Sequence, residues 1–178
     1  MVTGWIVMIK MALAATPVSV GQHALTFSLP VVNTEEDAEA RRIALASYVG
    51  MIPRDPQKAV LVYFFSRREG SEHLETLNRL QRRYDSQGLQ VLAISTDVGS
   101  VGGLAAWLQE QTLDYPVLRD NHQIVQSRYG FDDMPIAVII DSQGYIFAVG
   151  KPDAGDFGTD LEAELNPLLA RPASTDAN

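Results

Sequence analysis

The fold class this sequence predicts is α/β with a mixed central sheet, on three observations. Ala59–Phe65 (AVLVYFF) is an unbroken apolar run rich in β-branched and aromatic residues, the pattern of a strand buried on both faces of a sheet. Leu74, Leu77, Leu80 and Tyr84 then recur at helical spacing before a second apolar run, Leu89–Ser95, which makes a βαβ unit with a right-handed crossover helix over one face. Two later apolar runs, 136–140 and 145–149, flank Asp141, Ser142, Gln143 and Gly144, the grammar of an antiparallel hairpin.

The other elements follow in order. Residues 26–32 alternate in polarity but contain Pro30, so they suit an edge strand or an extended arm. Thr34 and Asp37 form a capping pattern, and residues 38–48 have helical spacing, predicting about three turns of helix that Gly50, Pro53 and Pro56 end. The crossover helix spans 71–86, with Gly88 as its stop. Residues 104–113 predict a second crossover helix, 116–118 a short strand, and 122–129 a short helix capped by Asn121. Residues 159–170 form the last helix, which Pro167 is placed to shorten or kink. Gly99, Gly102 and Gly103 match neither a dinucleotide nor a phosphate-loop spacing and fit a flexible helix start.

At 178 residues and 46% hydrophobic content, the chain can bury one ordinary core. The expected layout is an N-terminal extension at 1–19, one domain at 20–170 and a small polar tail at 171–178. A net charge of -8 excludes nucleic acid as the main partner, because neutralising phosphates takes a surplus of Lys and Arg. Arg67, Arg68, Arg79, Arg82 and Arg83 read as a solvated helix face balanced by Glu69, Glu72, Glu75 and Asp85. The stretch 5–15 (WIVMIKMALAA) is broken by Lys10 and is shorter than the roughly 20 residues that cross a bilayer, so no membrane span is expected. A signal peptide carries its positive charge before the apolar run, whereas here Trp5 to Ile9 precede Lys10. The expected location is cytoplasmic, with periplasmic or secreted as the alternative. Met11 is a second candidate start, which would make the first ten residues an over-extended reading.

No cysteine occurs in the chain, which removes disulfides, thiolate ligation and thiol catalysis together. This matters because of a resemblance. GQHALTFSLP at 21–30, VLVYFF at 60–65, YDSQGLQVLAISTD at 84–97, YPVLRDNHQIVQSRYGFDDMP at 115–135 and IAVIIDSQGYI at 136–146, in this order and spacing, resemble the thioredoxin fold. The likeness is to its redoxin branch, which holds AhpC/TSA peroxiredoxins and TlpA-like reductases. It covers most of the chain and implies a thioredoxin-like three-layer α/β/α domain with a central mixed β-sheet behind an N-terminal extension.

The departure falls where that family keeps its chemistry. On the reductase pattern CxxC, Glu69 and Glu72 stand at the cysteines, with Gly70 and Ser71 between them. On the peroxiredoxin pattern PxxxTxxC, Ser66 replaces proline, Gly70 replaces threonine and His73 replaces the peroxidatic cysteine. Disulfide exchange and peroxide reduction need a sulfur that accepts and returns two electrons, so no residue is assigned as catalytic. The resemblance further implies a cis peptide at Pro135 and a backbone at Met134 that docks extended peptides. The architectural alternative is that Pro135 only shapes the turn into the hairpin.

Glu69, Glu72, His73 and Thr76 share a helix face, which raises a metal site. Acidic residues are ordinary in a first helical turn, and His23 and His122 lie in other segments, so neither a metal nor another cofactor is assigned. Ser71 and His73 point in different directions, no nucleophile elbow is present, and His122 beside Asp120 and Asn121 fits a helix start. Trp107, Tyr115, Tyr129 and Phe131 suit a core or its rim. The sequence therefore predicts a redox-inactive binding, chaperone-like or regulatory module with a protein or peptide partner. The alternative is an enzyme, either of the family's thiol-disulfide or antioxidant class by descent or through Glu and His.

Overall fold

In the computed structural model, which describes residues 16–34, 41–152 and 156–171, the chain forms a two-stranded ribbon and a five-stranded mixed sheet. The ribbon pairs β1 (Ser28–Pro30) antiparallel with β2 (Arg42–Ala44), placing Leu29 opposite Ile43. Here the expected helix over 38–48 is corrected. Residues 38–40 lie outside the described residues, and the rest is β2 followed by a single 3-10 turn at Leu45–Ser47. The physical reason is periodicity: Ile43 and Leu45 are buried while Arg42 and Ala46 are exposed, a repeat of two that suits a strand.

The sheet is built from β3 (Ala59–Phe65), α1 (Leu74–Tyr84), β4 (Leu89–Ser95), α2 (Val101–Gln109), β5 (Val117–Arg119), α3 (Ile124–Tyr129), β6 (Ile136–Asp141), β7 (Ile146–Gly150) and α4 (Phe157–Leu169). Its strand order is β5-β4-β3-β6-β7, with β3, β4 and β5 parallel and β6 and β7 antiparallel. All seven residues of β3 are buried, as its unbroken apolar run requires of a central strand. Alternate side chains of β3 enter two cores. Leu61, Tyr63 and Phe65 pack with Leu77 of α1, Leu108 of α2 and Leu165 of α4. Val60, Val62 and Phe64 pack with Val125 and Tyr129 of α3 and with Leu29 and Ile43 of the ribbon. This is the three-layer α/β/α arrangement.

Three local expectations change. α2 starts earlier and ends at Gln109, because Ser100 Oγ accepts the Gly103 N–H at 3.3 Å and caps it. α3 is capped by Asp120, not Asn121: the carboxylate accepts the N–H groups of Ile124 and Gln126, each at 2.9 Å, while Asn121 accepts from Arg119. Pro167 falls in the last turn of α4, and the helix continues to Leu169. The arginines also find partners outside their own stretch: Arg67 pairs with Asp97, Arg82 with Asp114 and Arg83 with Glu162, while Arg79 donates to Thr76. The expected extension before residue 16, the Met11 start and the tail after residue 171 lie outside the described residues.

Candidate functional site

The parallel strands β3 and β4 end side by side, and the turns leaving them form one wall of a cleft. Ser66 donates its N–H to the Glu69 carbonyl at 2.9 Å, and its Oγ accepts the Glu69 N–H at 3.1 Å, so the turn closes on itself. Asp97, just beyond β4, ties the two turns together by accepting the Arg67 N–H at 3.0 Å and the Ser95 hydroxyl at 2.9 Å. Gly70 then turns the chain toward α1 with φ of +90°. Its carbonyl accepts the Tyr63 hydroxyl at 3.0 Å, and burial first, then the Glu72 charge, holds that phenol above its ordinary range.

The opposite wall is the segment leading into β6. The Met134–Pro135 peptide is cis, and Pro135 packs directly on Gly70: a Cβ added to Gly70 would lie 2.5 Å from the Pro135 Cβ. Between the walls is a polar cleft of about 440 Å³, lined by Ser66, Arg67, Arg68 and Glu69, by Thr96, Asp97 and Val98, and by Gln123, Gln126, Asp132 and Met134. Gln123, at φ of +54°, donates to the Thr96 carbonyl at 3.1 Å. Gln126 donates to the Phe131 carbonyl at 3.0 Å, and its Oε1 is buried without a partner. Two apolar side chains stand out beside this polar surface: Val98 is 71% exposed and Ile124, next to Gln123, is 58% exposed.

The structure divides the residues singled out from the sequence. Ser66, Glu69 and Met134 line the cleft, and Gly70 and Pro135, each next in sequence to a lining residue, touch each other without lining it. Glu72 and His73 do not line it. The His73 ring lies 4.6 Å from Phe157 and 6.3 Å from Tyr63, both in the core under α1 and α4, whereas Met134 packs on the core of the other sheet face. His73 Nε2 is 3.6 Å from a Glu72 carboxylate oxygen, but among the described residues no three His, Asp or Glu side chains gather to hold a metal ion. Sequence reasoning missed Thr96, Asp97, Val98, Gln123, Gln126 and Asp132. For the first three a signal existed, since ligands of open α/β sheets bind beyond the carboxyl ends of parallel strands. The two glutamines carry no local signal.

Residues 20–149 match the AhpC/TSA family. The chain belongs to that family. The whole cleft lies inside the matched segment, so the cysteine-free turn of this AhpC/TSA protein occupies the family's domain and is not an appended region. Its fold is shared with solved structures. One, given as a thiol:disulfide interchange protein DsbE from Chlorobium tepidum, is 21% identical, with 85% of this chain and 99% of that one covered and a TM-score of 0.72. A hypothetical protein from Sinorhizobium meliloti 1021 is 24% identical, with 87% and 86% covered and a TM-score of 0.69. A secreted disulfide oxidoreductase of Mycobacterium tuberculosis is 15% identical, with 79% and 95% covered and a TM-score of 0.62. At these identities the likeness establishes the fold. No curated protein matches the sequence.

Chemically, this AhpC/TSA protein offers hydroxyl, carboxylate and guanidinium groups beyond the ends of β3 and β4, amide groups from the start of α3, and no sulfur except thioether. Such groups bind and orient; they do not cycle between thiol and disulfide. Among the described residues, no helix is long and apolar enough to cross a membrane.

Proposed function

We propose that this AhpC/TSA-family chain is a redox-inactive binding protein, chaperone-like or regulatory, that holds an extended segment of a protein partner in the cleft between the 66–69 turn and Met134. The observation that carries the reading is the cleft itself. Its lining joins Ser66, Glu69, Asp97, Gln123 and Gln126, with the exposed Val98 and Ile124 at or next to lining residues, in a family domain whose chain holds no thiol. An extended peptide supplies what that surface lacks, backbone N–H and C=O groups for the polar lining and side chains for the exposed Val98 and Ile124. Ser66, Glu69 and Met134 are its contacts in this reading, with the Gly70–Pro135 contact holding the two walls together. Glu72 lies outside it. The reading sets the protein in the cytoplasm, as the lack of a charge before the apolar run at 5–9 suggests; the secreted Mycobacterium tuberculosis relative supports the periplasmic or secreted alternative, and cell fractionation separates the two.

The test is fluorescence anisotropy with labelled, carboxymethylated α-lactalbumin as the unfolded probe. Met134→Lys and Gln126→Leu should each weaken binding about tenfold, equivalent to about 1.4 kcal/mol, while Glu72→Gln should leave it within twofold. Wild-type protein should turn over neither hydroperoxide nor insulin disulfides above a reagent blank. Absence of probe binding by the full chain, or clear thiol-type turnover, would overturn the proposal.

A further inference from the structure

We infer that the open edge of the main sheet, β7 with the groove between it and α4, docks an extended segment of a second protein that carries apolar side chains together with lysine or arginine. This surface is separate from the cleft, and the inference does not rest on the reading of the cleft. The two edges of the sheet differ. β5 is covered, since Val31 bridges Leu118 and Val32 donates its N–H to the Val117 carbonyl at 2.8 Å. β7 is held on its outer side only at its start, where Gly21 donates to the Ile146 carbonyl and Ile146 to the Gln22 carbonyl, each at 2.8 Å. The irregularity in its pairing with β6 falls next to that covered end, and Ala148, Val149 and Gly150 then run opposite Ile139, Val138 and Ala137. Beyond Ile146, β6 is the sole strand paired with β7 among the described residues. Sheet edges are ordinarily protected by charge, proline or cover, and Ile146–Gly150 (IFAVG) contains neither charge nor proline. Its outer backbone groups are open to a further strand.

Beside this edge lies a groove of about 320 Å³. Its apolar lining is Ala137 and Ile139 of β6, Ala148 of β7, and Phe157 and Leu161 of α4. A strand added to an edge gains affinity from main-chain pairing and specificity from pockets that take alternate side chains, and this groove is such a pocket. Charge decides the occupant. The groove is also lined by Asp160 and Glu164, four residues apart on one face of α4, where like charges repel. Neither is in an ion pair among the described residues, and Lys151 in the same lining is engaged by Asp133 at 2.7 Å. A lysine or arginine two positions from an apolar anchor lies on the same face of an extended segment, about 6.7 Å away, and relieves that repulsion. A second copy docking by the same edge would make an isologous contact and bring the same two carboxylates to it. The charge therefore selects a foreign basic segment over self-pairing.

The test titrates the full, isotope-labelled chain with a capped peptide, Val-Thr-Lys-Thr-Val-Thr-Lys-Thr, followed by backbone amide shifts and, with a fluorescein label on the peptide, by anisotropy. Shifts should concentrate at Ala148, Val149, Gly150 and Ala163 and leave the 66–69 turn unmoved. Ala163→Arg sets a long cation into the groove from an exposed helix position and should weaken binding about tenfold through lost charge complementarity, with the far-UV dichroism of wild type. Asp160→Asn combined with Glu164→Gln should weaken it about fivefold, the size of two surface ion pairs. The peptide with glutamate in place of lysine should bind at least as poorly. An edge strand bonds only alternate residues of its neighbour, so N-methylating the four threonines, or instead the other four residues, should abolish binding in one peptide and spare it in the other. No binding at millimolar peptide, binding with shifts at the 66–69 turn and none along β7, or equal tolerance of both methylated peptides would overturn the inference. A concentration-dependent dimer in sedimentation that Ala163→Arg alters, with the peptide unbound, would show self-pairing and refute the foreign segment.

Discussion

Replacing Gly70 by alanine tests how the turn after β3 is held against the Met134 wall. Gly70 has φ of +90°, where a Cβ costs about 1–2 kcal/mol. The added carbon would also lie 2.5 Å from the Pro135 Cβ and 2.7 Å from the Tyr63 hydroxyl. Neither neighbour is a flexible chain end: Pro135 is a ring, and the hydroxyl is fixed by its 3.0 Å bond to the Gly70 carbonyl. Overpacking of this kind costs about 1–3 kcal/mol, so the variant should lose about 2–5 kcal/mol in all. For a domain of this size that lowers Tm by about 4–20 °C. Urea unfolding followed by circular dichroism measures it. Gly102→Ala is the control, because Gly102 lies in α2 with nothing within 4 Å of an added Cβ, and it should stabilise by up to about 1 kcal/mol. A Gly70→Ala protein within 0.5 kcal/mol of wild type would refute the argument that Pro135 and Tyr63 clamp this position.

Two further outcomes follow from the fold. Asp120→Ala removes the acceptor for the Ile124 and Gln126 N–H groups at the start of α3. At a site only 3% exposed it should cost about 1–2 kcal/mol, with Asn121→Ala much closer to neutral; equal losses in the two denaturation curves would contradict the assignment of the cap. Burial holds the phenols of Tyr63, Tyr115 and Tyr129 above the ordinary value of 10.0. The fold therefore favours their neutral form, so this stabilisation is complete below pH 10 and declines as pH rises further. Absorbance at 295 nm should show these three phenolates appearing only as far-UV dichroism is lost; ionisation of all six tyrosines near pH 10 with the dichroism intact would disprove it.

Much of the scaffold was legible because its signals are strong and short-range. β3 and β4 occupy the runs read from composition, and Gly88, at φ of +95°, ends the first crossover where a left-handed residue was expected. The 38–48 helix failed because a capping pattern and helical spacing are weak signals beside the chance to pair Ile43 with Leu29, a partner 14 residues away. The α3 cap was misplaced by one residue, since which of two adjacent capping side chains faces the helix depends on the buried path of the chain.

The site divides in the same way. Sequence alone determined what chemistry is absent, since covalent composition settles whether a sulfur nucleophile exists, and it placed Ser66, Glu69, Gly70, Met134 and Pro135 near the ends of the right elements. Tertiary structure decided which of them meet. The two-residue alternation of β3 sends Tyr63, with His73 beside it, to one core and Phe64 to the other, which parts Glu72 and His73 from Met134. The crossing of four chain segments then brings Gln123 and Gln126 to the cleft, and no local pattern encodes a contact made only when distant backbone segments converge.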